Sequence, residues 1–259
     1  MGIGPAKITV DIPRVGAHLP LMNFAAPLVP ATLTRRYKRF LADCRLDDGT
    51  EITAHCANPG SMMGLATPGS RVWLEPNDDP KKKLDWGWRL VEHLDGHFTG
   101  VDTALPNRML KAALEAHEVP DFADYDQVRA EVKYGEKSRV DFLLSAEGKP
   151  DAYVEVKSVT LCRHPGVAEF PDAKTERGAR HMLELALMAK EGHRAAVFFL
   201  VQRTDASEVR IADDIDPRYA EAFLTAYAAG VEVIAHSTNI SPRGVTLGPA
   251  LPFTLPVPK

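Results

Sequence analysis

Ser138-Arg139-Val140-Asp141-Phe142-Leu143-Leu144 and Ala152-Tyr153-Val154-Glu155-Val156-Lys157-Ser158 decide how this chain is read. Both stretches alternate as β-strands do. Val140, Phe142 and Leu144 oppose Asp141 and Leu143, while Val154 and Val156 oppose Glu155 and Lys157. The link Ser145-Ala146-Glu147-Gly148-Lys149-Pro150-Asp151 carries turn residues. A hairpin centred on Gly148 sets Asp141 opposite Glu155, and Glu155 shares a face with Lys157. Two carboxylates and an ammonium then meet on strands otherwise apolar enough for burial. The placement is compatible with a buried ion pair and equally with a site built for chemistry.

Upstream, 128–134 predicts a further strand, where Glu131 offers a third carboxylate. Before it, 106–118 predicts a helix, with Pro106 in the first turn and Met109, Leu110, Ala113 and Leu114 at helical spacing. Downstream, 172–190 predicts a helix on the spacing of Ala179, Met182, Leu183, Ala186 and Leu187, stopped by Gly192. The apolar run 195–201 suits a strand covered on both faces. Another helix follows at 217–229 and a last short strand at 231–235. The Pro- and Gly-rich tail after Asn239 is expected to wrap the surface. This order predicts one mixed sheet flanked by helices over 101–259.

Residues 27–100 have a different texture. Short runs at 32–41, 51–55 and 71–74 are separated by Asp47-Asp48-Gly49, Asn58-Pro59-Gly60-Ser61 and Thr67-Pro68-Gly69-Ser70. That spacing predicts a small β-barrel of the oligonucleotide-binding (OB) type. Tyr37, Phe40, Trp73, Trp86 and Trp88 are available either to stack on bases or to fill the barrel. Residues 1–26 have weak periodicity and three prolines. They are expected to form a poorly ordered extension, with Met22 a second candidate start.

The chain of 259 residues is 45% hydrophobic with a formal net charge of -4. A wholly basic nucleic-acid binder is thereby excluded, but the charge is uneven. Residues 27–90 hold ten Lys/Arg against eight Asp/Glu, and 91–259 hold nineteen against twenty-six. The early basic residues cluster at Arg35-Arg36-Tyr37-Lys38-Arg39 and at Lys81-Lys82-Lys83, which suits phosphate contact. No run approaches the roughly 18 apolar residues of a membrane helix, so no membrane partner is expected. Three cysteines without a paired CxxC argue against both a disulfide framework and structural zinc. The N-terminus lacks a signal-peptide pattern, and the expected location is a reducing cytoplasm.

Asp141 and Glu155 supply hard oxygen ligands suited to Mg²⁺ or Mn²⁺. Lys157 on the same face could hold an attacking water or the charge that develops on phosphorus. Alone, the spacing D-x(13)-E-x-K is a weak signal. In this order of elements it resembles the PD-(D/E)XK nuclease superfamily. The chain also resembles the sugar fermentation stimulation protein A family. That likeness rests on Arg35-Arg36-Tyr37-Lys38-Arg39-Phe40-Leu41-Ala42-Asp43, on His55-Cys56 with Asn58 and Gly60-Ser61-Met62, and on Glu131-Val132-Lys133-Tyr134-Gly135. It continues through Ser138-Arg139-Val140-Asp141-Phe142, Glu155-Val156-Lys157-Ser158-Val159-Thr160-Leu161, and Phe170-Pro171-Asp172-Ala173 with Thr175-Glu176-Arg177-Gly178.

The resemblance implies an N-terminal OB-like β-barrel followed by a restriction-endonuclease-like mixed-sheet α/β domain. It implies DNA binding, a regulatory role in sugar (maltose) metabolism, and a nuclease activity inferred from the fold. Carried over by position, Asp141 and Glu155 bind the metal, the Val156 carbonyl joins them and Lys157 is catalytic, with Glu131 as a further acid. Val140 stands where the superfamily often has proline. Arg35, Arg36, Tyr37, Lys38, Arg39 and Arg177 are the candidate contacts to DNA or RNA. Arg177 has an alternative as an exposed first-turn residue paired with Asp172 or Glu176. A homodimer is allowed by such a fold, although no residue demands one.

Overall fold

The structure, a computed structural model, describes residues 7–8, 21–135 and 138–256. Most of the stretch expected to lack order, 1–6 and 9–20, lies outside the described residues. Two short strands, β1 (Lys7–Ile8) and β2 (Met22–Asn23), precede the first domain.

Strands β3 (Val29–Tyr37), β4 (Leu41–Leu46) and β5 (Glu51–Cys56) form an antiparallel meander. β6 (Arg71–Pro76) pairs with the other edge of β3, and β7 (Trp86–Glu92) pairs with β6. β5 and β7 then meet in parallel, His55 beside Gly87 and Cys56 beside Trp88, which closes the barrel. β8 (Phe98–Gly100) extends the sheet from β7. The inward positions are small: Ala31, Ala42, Cys44, Ala54 and Cys56. A five-strand barrel has little room inside, and Leu33, Met62, Leu65 and Trp88 fill it. Trp88 is 0% exposed, and its Nε1–H donates to the Leu90 carbonyl at 2.9 Å. It is therefore a core residue, while Phe40 is exposed and Trp73 and Trp86 are half-buried.

The run 32–41 is not one strand. β3 stops at Tyr37, and Lys38 and Arg39 take left-handed φ of 49° and 63°. L-residues adopt that region at a cost. Here it makes the turn into β4 and leaves both cations exposed at its tip.

The second domain starts with α1 (Leu105–Glu115) and the antiparallel strands β9 (Gln127–Tyr134), β10 (Ser138–Ser145) and β11 (Ala152–Val159). Next come β12 (Leu161–His164), β13 (Gly166–Phe170), α2 (Glu176–Lys190), β14 (Arg194–Val201) and β15 (Ala206–Ile211). The chain ends with α3 (Pro217–Ala228), β16 (Glu232–Ser241), β17 (Gly244–Ala250) and β18 (Phe253–Thr254). The main sheet has the order β2-β17-β16-β14-β11-β10-β9, with β11, β14 and β16 parallel. Phe142, Val154, Val156, Phe198 and Leu200 pack toward α1, while Val197 and Phe199 pack toward α2 and α3.

Three expectations need correction. The sheet is not alone: β1, β18, β15, β13 and β12 form a second, five-stranded one. The tail after Asn239 does not wrap the surface. β17 joins the main sheet beside β16 and buries Val245 and Leu247. Its glycine is permissive rather than disruptive, because a Cβ at Gly248 would lie 2.3 Å from the Ser237 hydroxyl. One helix boundary also moves. α2 begins at Glu176, not Asp172, because Thr175 caps it by accepting the Gly178 N–H at 3.0 Å.

The freed segment before α2 joins the two domains. The Ser61 hydroxyl donates to the Asp172 carbonyl at 2.8 Å. Arg36 braces the same barrel loop by donating to the carbonyls of Asn58 (2.8 Å) and Gly60 (3.0 Å). Phe98 N–H donates to the Thr204 hydroxyl (2.9 Å), and Gly100 N–H to the Gln202 carbonyl (2.9 Å).

Candidate active site

The β10–β11 ladder pairs Leu144 with Ala152, Leu143 with Tyr153 and Phe142 with Val154, the register that aligns Asp141 with Glu155. There the ladder ends. Val156 N–H, left without a partner on β10, donates to Asp141 Oδ2 at 2.7 Å. In a strand the carbonyl points to the same side as its own N–H, so the Val156 carbonyl faces this gap. On the other edge, the β9–β10 pairing skips Asp141 and Glu131. Glu131 takes a left-handed φ of 55°, and its carbonyl accepts from Arg139 Nη1 at 2.7 Å. Asp141 thus sits where β10 lets go of both neighbours. Its second oxygen, Oδ1, accepts from Asn107 Nδ2 on α1 at 2.7 Å.

Glu155 is anchored from the opposite side of the sheet. It is 3% exposed, and its Oε1 takes both the Lys157 ammonium at 2.8 Å and the ring nitrogen Nδ1 of His181 on α2. Arg177 Nε donates to His181 Nε2 at 3.2 Å. A guanidinium can only donate, so Nε2 must accept and Nδ1 must carry the proton. The tautomer is therefore fixed by the arginine, and His181 donates to Glu155. Arg177 consequently pairs with neither Asp172 nor Glu176 in the described hydrogen bonds.

The charges are unequal in their comfort. Burial, reinforced by the nearby charge of Glu155, pushes the Asp141 carboxyl up to about 6. Burial acts on Glu155 in the same direction, but Lys157 and His181 outweigh it and hold this group below the usual glutamate value. Among the described residues, Glu155 Oε2 is buried with no hydrogen-bond partner. Glu184, one turn beyond His181 on α2, also buries an Oε2 with no partner among the described residues, and the same holds for the Tyr134 hydroxyl. Burial raises the Tyr134 phenol, with Glu155, Glu184 and Asp141 adding to the shift, so these groups form one electrostatic neighbourhood.

The structure brings Asp141, Glu155, Val156 and Lys157 together. It leaves Glu131 exposed beside them, with no side-chain hydrogen bond or ion pair among the described residues. Glu184 and Tyr134 are the additions; His181 and Asn107, which the sequence offers as helix-start contacts to phosphate, instead brace Glu155 and Asp141. For Glu184 a signal existed: a polar residue three beyond His181 on the inward face of α2, among Met182, Leu185, Ala186 and Met188.

The basic cluster divides by role. Lys38 and Arg39 project from the turn. Arg35 pairs with Asp43 at 2.8 Å and lies 4.7 Å over the Tyr37 ring. Arg36 is used internally, on the loop carbonyls.

A closed OB barrel locked to a mixed-sheet α/β domain, with an acid–lysine–histidine cluster at a break in the sheet, defines the class of this two-domain protein. Residues 34–101 match the family model for the SfsA N-terminal OB domain, and 104–244 that for the sugar fermentation stimulation protein RE domain. The chain belongs to the sugar fermentation stimulation protein (SfsA) family. It is 67% identical to a sugar fermentation stimulation protein homolog of Ruegeria sp. strain TM1040, over 89% of this chain and 100% of the relative. It is 52% identical to the homolog of Paramagnetospirillum magneticum, over 90% of this chain and 98% of the relative. Among solved structures, that of Pyrococcus furiosus SfsA in complex with Ca²⁺ superposes with a TM-score of 0.82 at 27% identity. It covers 92% of this chain and 99% of its own.

Proposed function

We propose that this protein binds DNA or RNA through its barrel and cleaves a phosphodiester with a divalent cation held at the sheet gap, as a PD-(D/E)XK nuclease. The observation that carries this reading is the unpartnered, buried Oε2 of Glu155 beside the charge-burdened Asp141. Two carboxylates and a backbone carbonyl are hard oxygen donors, so the residues fit Mg²⁺ or Mn²⁺. Among the described residues no three His, Cys, Asp or Glu side chains gather as a ready-made cage. Asp141, Glu155 and the Val156 carbonyl would hold the cation and leave its other positions to water and phosphate. The Pyrococcus furiosus protein was solved in complex with Ca²⁺, which supports a divalent-cation site in a relative.

When bound, the cation polarises phosphorus and lowers the pKa of its water. The protein's own groups do the rest. Lys157, 2.8 Å from Glu155 and 8% exposed, keeps its ammonium in the gap to orient a water and balance charge developing on the phosphate oxygens. Asn107 and the Val156 N–H fix the Asp141 carboxylate. Lys38, Arg39 and Arg35 neutralise the nucleic-acid backbone without reading bases. Glu131 and Arg177 flank the gap, as a further acid and a phosphate contact. The site acts in the cytoplasm; among the described residues no helix is long and apolar enough to cross a membrane. A homodimer would serve to cut both strands of a duplex.

Incubation with single-stranded, duplex and hybrid substrates in Mn²⁺, Mg²⁺ or EDTA tests the proposal. Metal-dependent cleavage, lost in Asp141→Ala and Lys157→Ala, is expected. Binding without cleavage on every substrate would instead favour a second reading, a DNA-binding regulator of sugar (maltose) metabolism. The family's name, sugar fermentation stimulation protein, supports that alternative.

A further inference from the structure

Glu155 has two carboxylate oxygens, and the structure treats them differently. Oε1 receives both donors, Lys157 and His181, while Oε2 is buried and has no partner among the described residues. A carboxylate otherwise free to turn is thereby held with one oxygen committed. His181, 3% exposed, is itself held by Arg177 Nε at 3.2 Å. The remaining guanidinium nitrogens of Arg177 make no hydrogen bond among the described residues, and this residue is exposed. One end of the relay thus faces solvent, one imidazole away from the carboxylate at the other end. Guanidinium groups of this kind bind phosphate oxygens through two parallel N–H donors.

We propose that Arg177 and His181 are positioning residues that form an arm coupling phosphodiester capture to cation binding. A nucleic-acid phosphate on the free guanidinium nitrogens holds Arg177 against His181 Nε2. This keeps the Nδ1–H on Glu155 Oε1 and presents Oε2 to the divalent cation. The inference rests on the metal-dependent phosphodiester reading and adds a direction of control: substrate tightens the metal site, and by reciprocity the metal tightens substrate.

The test measures Ca²⁺ affinity of the full chain by titration calorimetry, with and without a saturating duplex 16-mer, gels confirming that the strands stay intact. For the unaltered protein, the oligonucleotide should tighten Ca²⁺ by about tenfold, within the usual 5–150-fold range of such couplings. His181→Asn keeps an N–H for Glu155 but offers no acceptor at the Nε2 position. It should bind Ca²⁺ nearly as the unaltered protein does and lose the coupling. His181→Ala should lose about 10–100-fold in Ca²⁺ affinity even without oligonucleotide, and Arg177→Ala should lose only the coupling and some oligonucleotide affinity. Circular dichroism melts confirm that each variant is folded. Full coupling in His181→Asn, or unchanged Ca²⁺ affinity in His181→Ala, would overturn the arm. Absence of coupling in an unaltered protein that binds both ligands and cleaves with Mg²⁺ overturns the arm while sparing the nuclease reading. Absence of both binding events overturns the two together.

Discussion

Asp141→Asn separates the cost of the acidic gap from its use. Burial and Glu155 push the Asp141 carboxyl from 3.8 up to about 6. The fold therefore prefers the protonated form. Its contribution to stability is complete below about pH 4 and is lost as pH rises through 6. Above that point, in metal-free protein, the ionised group costs about 3 kcal/mol. Asparagine removes the charge. Its oxygen can still accept from Val156 N–H, and Asn107 can flip its amide to offer an oxygen instead of a nitrogen. In EDTA at pH 8 the variant should be more stable than the unaltered protein by about 2–3 kcal/mol, or roughly 5–10 °C in Tm for a unit of this size. The difference should vanish near pH 4. Mn²⁺ at about one thousand times its Kd should invert the order, since the native site then gains about 4.1 kcal/mol and the variant gains little. Thermal melts by circular dichroism across pH 4–8.5, with and without metal, read all three. A variant less stable than the unaltered protein in EDTA at pH 8 would refute the reasoning.

Glu155→Gln leaves the Lys157 ammonium buried without its counter-charge, so it should cost about 3–5 kcal/mol in urea unfolding. Adding Lys157→Met should recover most of that loss without restoring metal binding. Replacing Arg35, Lys38 or Arg39 singly with alanine should lower the salt dependence of nucleic-acid affinity by about one unit of slope, measured by fluorescence anisotropy against salt. Gly60→Ala places a Cβ 2.7 Å from Asp172 Oδ2. It should destabilise by about 1–3 kcal/mol as an overpacked joint, and hydrogen exchange should rise at both Ser61 and Asp172.

The hairpin of Asp141 and Glu155 was legible because strict alternation and one Gly-centred turn specify its register, and the observed pairs obey it. The departure of Asp141 from the ladder was not legible, since it depends on Asn107 arriving from α1 and on the kink at Glu131. The inward face of α2 was only partly legible: Leu183 and Leu187 of the expected stripe are exposed, and the helix turns to bury His181, Glu184 and Leu185 instead. The barrel's turns were plain, but the roles within the basic run were not. Arg36 and Lys38 look alike in sequence, and only the fold gives the former two carbonyls to hold. The second sheet escaped for a similar reason. β13 and β15 carry Glu169 and Arg210, which read as surface. In the fold Glu169 is buried, its carboxylate shared by Arg163 and Arg210, each at 2.8 Å. Neutralisation between distant residues leaves no local pattern.

Ser61 on Asp172, Phe98 on Thr204 and Gly100 on Gln202 tie the barrel to the second domain. On the proposed reading, a fixed joint makes the molecule a ruler. A strand held at Lys38 and Arg39 would meet the acidic gap a constant number of nucleotides away. Digests would then show a shortest product set by that span, and oligonucleotides shorter than the span would be cut slowly however well the gap itself is formed.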